Sequence, residues 1–203
     1  MDFLHKVEAI IILDTEGHRI FAKYFPIPRA ATGAAGKSAA GAGGDQILDV
    51  SAGSWPTPDL QRKFEDSLHK KASGQKGTAW GGADDDVMLM DGHTVLFHSD
   101  PEVSFYVVGG ADENELVLLN ILNCLYESLR QTIEISGPID KRTLLENYEA
   151  VLLIVDELVD DSVILETSSA NVSQDVAPFT EQVAGETARK ALANINKYLK
   201  QNL

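Results

Sequence analysis

The stretch VEAIIILDTEGHRIFAKYF, residues 7–25, decides the architecture. Val7–Leu13 is a nearly unbroken apolar, β-branched run, Asp14–Gly17 is a turn signal, and the residues from Arg19 alternate in polarity. Together they predict a β-hairpin. Its first strand is apolar on both faces, so it belongs inside a sheet covered from both sides.

Working outward, composition collapses over 26–58, where Pro26, Pro28, Pro56 and Pro58 bracket mainly Ala, Gly and Ser. Such a segment buries too little apolar area to offset its ordering entropy, and it is expected to be a disordered insertion at about 27–57. Order returns at PDLQRKFEDSLHKKA, which predicts a helix over 59–72 capped by Asp59, with Leu60, Phe64 and Leu68 at four-residue spacing. A second loose stretch spans 73–86. VMLMDGHTVLFHS then predicts a tight hairpin around Asp91-Gly92, and VSFYVVGG adds a strand with Pro101 at its edge.

From Asp112 the period changes to that of a helix. Asp112 and Glu115 suggest a capping box for a helix over 112–135 that is apolar except along Asn120, Asn123, Glu127 and Arg130. A second helix over 140–160 is capped by Asp140 and carries Leu144, Leu145, Tyr148, Val151, Leu152, Val155 and Val159 at helical spacing. A weaker amphipathic helix starts at Thr180, after Pro178. The expected fold class is α+β: a five-stranded antiparallel sheet with the 59–72 helix on one face and the 112–135 and 140–160 helices on the other. The core domain is placed at 1–170 and a C-terminal tail with its amphipathic helix at 171–203.

The 203 residues include 31 acidic and 17 basic side chains, a formal charge of −14, and 44% are apolar. That field repels nucleic acid and anionic lipid. The basic clusters, Arg62, Lys63, Lys70, Lys71, Lys76 and then Arg189, Lys190, Lys197, Lys200, fall within amphipathic patterns and read as solvated helix faces. Cys124, the one cysteine, sits in an apolar run and reads as a buried, inert core residue. The start MDFLHKVEAIIIL does not resemble a signal peptide, and Asp2 stands where myristoylation needs glycine. A soluble cytosolic chain is expected.

One motif argues for a different class. RAATGAAGKSAAGAGGD, residues 29–45, ends a phosphate-binding loop in Gly36, Lys37 and Ser38. Ala31, however, stands where that loop needs its first glycine, and neither a strand precedes it nor a helix follows. An NTPase reading therefore lacks its scaffold. His5, His18, His69, His93 and His98 show no ligand spacing and read as surface or turn histidines; His93 and His98 should leave their strand on opposite faces. Asp84, Asp85 and Asp86 read as a solubilising group at a strand end rather than a cation site. Asn171-Val172-Ser173 is a glycosylation triplet without meaning in a cytosolic chain. No catalytic, cofactor-binding or metal residues are assigned, and the chain is read as non-enzymatic.

The blocks AIIILDTEGHRIFAKYF, NELVLLNILNCLYESL, DKRTLLENYEAVLLIVDELVDDSVILET and PFTEQ resemble the zeta-subunit family of coatomer, the COPI vesicle coat. That family is similar to the small sigma chains of clathrin adaptors, which share the longin fold. The resemblance covers about 5–26, 59–72 and 86–182, and the insertions at 27–58 and 73–86 depart from it. It implies a non-catalytic coat component, without a cofactor, nested against the large gamma subunit. It also implies recruitment to Golgi membranes by an Arf-family GTPase, for Golgi-to-ER retrograde and intra-Golgi transport. Membrane contact comes through the assembled coat, and the chain cycles between cytoplasm, Golgi and COPI vesicles. A sigma-type small chain that binds acidic dileucine cargo motifs is the alternative. On that reading Arg19 matches a basic position near the cargo acid, although it also reads as an exposed hairpin arginine.

Overall fold

The computed structural model describes residues 5–25, 55–75 and 85–180. The phosphate-loop-like segment 29–45, the basic cluster from Arg189 and the tail beyond Thr180 lie outside the described residues.

Strand β1 (Val7–Asp14) is buried along its whole length and pairs antiparallel with β2 (Arg19–Tyr24). The turn between them is built by Asp14, whose Oδ1 accepts the Glu16 and His18 amides at 2.9 and 2.8 Å. Gly17 supplies φ 83° there, in the left-handed region that glycine enters without penalty. Helix α1 (Pro58–Gln75) follows, then β3 (Asp85–Met90), β4 (His93–Ser99) and β5 (Val103–Gly110). The β3–β4 turn has φ 52° at Asp91 and 79° at Gly92, both left-handed, as a two-residue hairpin requires. The five strands form one sheet in the order β2-β1-β5-β4-β3, with every pairing antiparallel.

The sheet separates two cores. Because strand side chains alternate, Ala9, Ile11 and Leu13 of β1 join Met88, Met90, Val95, Phe97 and Tyr106 beneath Phe64, Leu68 and Ala72 of α1. Ile10 and Ile12 point the other way, with Leu96, Phe105 and Val107, toward the remaining helices. These are α2 (Glu115–Thr132), α3 (Lys141–Glu146) and α4 (Tyr148–Leu158). The longin-like sandwich expected from the sequence is the observed fold. Gly109 allows α2 to approach: a Cβ there would come within 2.8 Å of Leu118 Cδ1.

Details differ from expectation for local reasons. Thr57, not Asp59, begins α1; its hydroxyl accepts the Leu60 amide at 3.4 Å, and Pro58 fills the first helical position its ring suits. Leu60 consequently turns outward. Asn114, in an extended conformation, caps α2 by accepting the Leu116 amide, so the Asp112–Glu115 box does not form. Asp140 caps α3 as expected, accepting the Thr143 amide at 2.6 Å. The single 140–160 helix is divided at Asn147, whose side-chain amide donates to the Thr143 carbonyl at 2.9 Å. That bond competes with the helical ladder at the division.

After α4 a short hairpin was not foreseen: β6 (Val159–Asp160) and β7 (Val163–Ile164), turned by Asp161 and Ser162 at positive φ. Residues 169–180 are already helical, before the expected start at Thr180, and bury Val172 and Val176 in the α2–α4 core. Trp55, near the end of the presumed insertion, packs its ring against Tyr24, Phe64 and His93, with centroids 5.4, 4.3 and 4.6 Å apart.

Candidate interaction surface

The titratable groups that could support chemistry are mostly spent on holding the fold. Asp14 is buried; its Oδ2 accepts from the Lys141 ammonium at 2.7 Å, joining the first turn to the start of α3. Burial alone would raise its carboxyl, but Lys141 and the His18 and Glu16 amides outweigh that and hold it at about 2. Asp14, Glu16 and His18 bring three ligand-type atoms within 4.8 Å of one another. Asp14 is already saturated by those donors, so the cluster is a turn scaffold.

His93 and His98 do leave β4 on opposite faces, but neither is a free surface histidine. His93 Nδ1 lies 2.6 Å from Glu8 Oε2, beside Trp55. His98 stacks on Tyr126, 4.2 Å between centroids, and faces Asp100. Asp100 accepts the Tyr126 hydroxyl and the Ile139 amide, which clips α2 to the approach of α3. Burial and then Asp100 push the Tyr126 phenol upward. His5 pairs with Glu113 at 2.6 Å, and His69 lies against Gly17. Cys124 is buried, and burial raises its thiol, which keeps it un-ionised. Asn171 donates to Glu166.

Arg19 sits at the start of β2 and grips the buried Glu65 of α1 with both Nη2 and Nε, at 2.6 and 2.9 Å. Tyr24 donates to the same carboxylate at 2.7 Å. The guanidinium thus neutralises an internal carboxylate at the wall of a shallow depression of about 420 Å³ shared with Gly17, His18, Arg62, Glu65 and Asp66. The basic side chains Arg62, Lys63, Lys70 and Lys71 line the solvated face of α1, as their pattern suggested.

Among the described residues, α3 and α4 carry some of the exposed apolar side chains. On α3 and α4, Leu144, Val151, Ile154, Val155 and Leu158 face the core, whereas Leu145, Tyr148 and Leu152 are 52%, 37% and 42% exposed. Tyr148 and Leu152, four residues apart, share one face of α4, while Leu145 lies on α3 across the break at Asn147. Tyr148 is steadied by an edge-on contact with Phe21 of β2, 6.3 Å between centroids. Glu146, Glu149, Asp156 and Glu157 of the same two helices are also exposed. Arg142 pairs with Glu146 and Lys23 with Asp156, each at 2.7 Å. Sequence periodicity grouped these three apolar residues with the buried ones. The available signal was the adjacent pairs Leu144–Leu145 and Val151–Leu152, which make the apolar arc wider than one core-facing stripe needs.

The described residues thus form a small longin-like sandwich whose titratable groups mostly contact one another and whose outer helices carry exposed apolar side chains. Residues 59–183 match the family described as clathrin adaptor complex small chain. Coatomer subunit zeta-1 of Bos taurus is 33% identical over 198 residues, covering 95% of this chain and 92% of that protein. The chain belongs to the coatomer zeta family. Coatomer subunit zeta of Saccharomyces cerevisiae is 30% identical, covering 86% of this chain and 78% of its own length. A chain in a homology model of the full-length AP-3 complex in a stretched open conformation superposes with TM-score 0.55 at 11% identity, covering 90% of this chain and 98% of that one. That likeness concerns the fold. As a zeta-family member the chain is an adaptor-like small coat subunit. Among the described residues, no helix is long and apolar enough to cross a membrane.

Proposed function

We propose that the protein is the non-catalytic small chain of a COPI coat, held by the large gamma subunit within the adaptor-like half of coatomer. On this reading it cycles between cytoplasm and Golgi membranes, recruited by a GTP-bound Arf-family GTPase, and serves Golgi-to-ER retrograde and intra-Golgi transport. The observation that carries it is the reciprocal coverage of whole zeta chains, 95% of this chain against 92% of the bovine one. The formal charge of −14 agrees, because direct attachment to anionic lipid would be repelled and membrane contact is better made through partners.

The test is purification of the tagged full-length chain from cytosol, followed by flotation with Golgi-composition liposomes. Coat subunits should co-purify in equal amounts and remain bound at about 0.5 M salt, where screening removes exposed charge attraction. Flotation should require the assembled coat and GTP-loaded Arf. Liposome binding by the chain alone, or loss of its large partner at moderate salt, would overturn the proposal.

A further inference from the structure

We propose that Thr57 is a phosphorylation site for a proline-directed protein kinase, and that its phosphate locks the junction between Trp55 and α1. Thr57-Pro58 is the single Ser/Thr-Pro pair in the 203 residues. Thr57 is exposed, as are Pro56 and Pro58 on either side of it. Proline-directed kinases take a hydroxyl residue in an extended conformation, followed by a residue that brings no amide donor to an apolar pocket. Pro58 meets both demands: it has no N–H, and its ring keeps the residue before it extended. The N-cap position of Thr57 asks for the same extended backbone, so the site is preset before a kinase arrives.

The hydroxyl is held only loosely. It accepts the Leu60 amide at 3.4 Å, a long bond, and Trp55 and Pro56 lie outside any helix or strand. In the transfer, Thr57 Oγ1 attacks the γ-phosphorus of a nucleoside triphosphate held by the kinase. The bond from that phosphorus to its bridging oxygen breaks, the nucleoside diphosphate leaves, and the hydroxyl proton passes to the kinase's catalytic carboxylate. Ser73, after Lys70 and Lys71, offers the pattern that basophilic kinases prefer. It lies within the last turn of α1, however, at the negative end of the helix, where an added phosphate is disfavoured.

A phosphate on Thr57 acts on the start of α1 in the opposite sense. The Asp59 amide, in the first turn, has no helical carbonyl to meet, and a phosphate oxygen takes such an amide by a charge-assisted bond. The Asp59 carboxylate opposes this. Arg62 and Lys63, exposed in the second turn and without ion-pair partners among the described residues, lean toward the helix start and attract the phosphate. Trp55, two residues earlier, packs on Tyr24, Phe64 and His93, so tying Thr57 to α1 also steadies that aromatic contact.

The test starts with the chain isolated from its own cells with phosphatases blocked. Mass spectra of the peptide that spans Trp55 should place a phosphate on Thr57. The recombinant full-length chain, given ATP and a cyclin-dependent or mitogen-activated kinase, should be labelled at the same residue. Thr57→Ala should abolish that label, and Pro58→Ala, which keeps the hydroxyl, should slow it sharply. The phosphorylated chain should melt a few degrees above the unmodified one. Recovery of only the unmodified peptide from cells, or equal labelling of wild type and Pro58→Ala, would overturn the site. A phosphorylated chain that melts no higher would overturn the lock.

Discussion

Asp14 concentrates two jobs in one buried side chain: it closes the β1–β2 turn and anchors Lys141. Its folded carboxyl is held at about 2, below the ordinary value of 3.8. A depressed carboxyl contributes stability that is fully present above the unfolded value and lost as pH falls through the folded one. The chain should therefore lose stability between about pH 4 and 2 through this residue. Lys141→Ala should lower the urea midpoint at neutral pH, because a buried carboxylate loses a charged donor yet keeps two amides. Asp14→Asn should remove this acid-dependent component. Urea unfolding of the three proteins across pH 2–7 measures both effects, and identical pH profiles for wild type and Asp14→Asn would show the latch to be idle. Nothing in the sequence pairs residue 14 with residue 141, since that contact exists only once the hairpin and α3 are placed.

At the scale of elements, the caps set where each helix starts. Asp140 accepts the Thr143 amide at 2.6 Å, so Asp140→Ala should destabilise the chain, readable as a lower denaturation midpoint with an unchanged slope. Wild-type stability in the variant would mean that solvent caps the helix equally well. Elements with one dominant local signal were legible: the mainly apolar β1, the Asp91-Gly92 turn, and α2 with its polar line at Asn120, Asn123 and Glu127. Where two signals lay side by side, the sequence was ambiguous. Asp112 and Asn114 both cap well, and the chain uses the one adjacent to the helix. Asn147 is tolerated inside a helix pattern, yet its side chain captures the Thr143 carbonyl and splits the pattern in two. The exposed apolar residues of α3 and α4 were hidden for a related reason: periodicity finds apolar residues on a helix but does not say which of two adjoining arcs the core takes.

For the whole molecule, β1 is the shared wall. Its odd-numbered residues Ala9, Ile11 and Leu13 belong to the α1 core and its even-numbered Ile10 and Ile12 to the opposite one. Neither helical layer retains its floor if β1 leaves, so loss of both cores should coincide in a single transition. The clasp made by Trp55 bears on the same unit. With its ring against Tyr24, Phe64 and His93, half-buried, Trp55→Ala should cost about 2 kcal/mol, part of the toll of emptying a full core site. Replacing 27–53 with a short Gly-Ser linker should leave the thermal midpoint within a few degrees, since loop-closure entropy grows only logarithmically with length. A melting curve for each settles the matter, and a large loss on shortening would mean that the segment packs on the core.

The aromatic clasp has a practical corollary. Tyr24 lies next to the residue that leads into segment 26–54 and Trp55 immediately follows that segment, and their rings touch at 5.4 Å. Both doorposts of the opening are therefore fixed to the α1 side of the sandwich, independently of what is threaded between them. The opening becomes a splice port. A fluorescent protein or affinity module inserted there should leave the framework closed behind it, so that the coat could be watched with the sandwich intact.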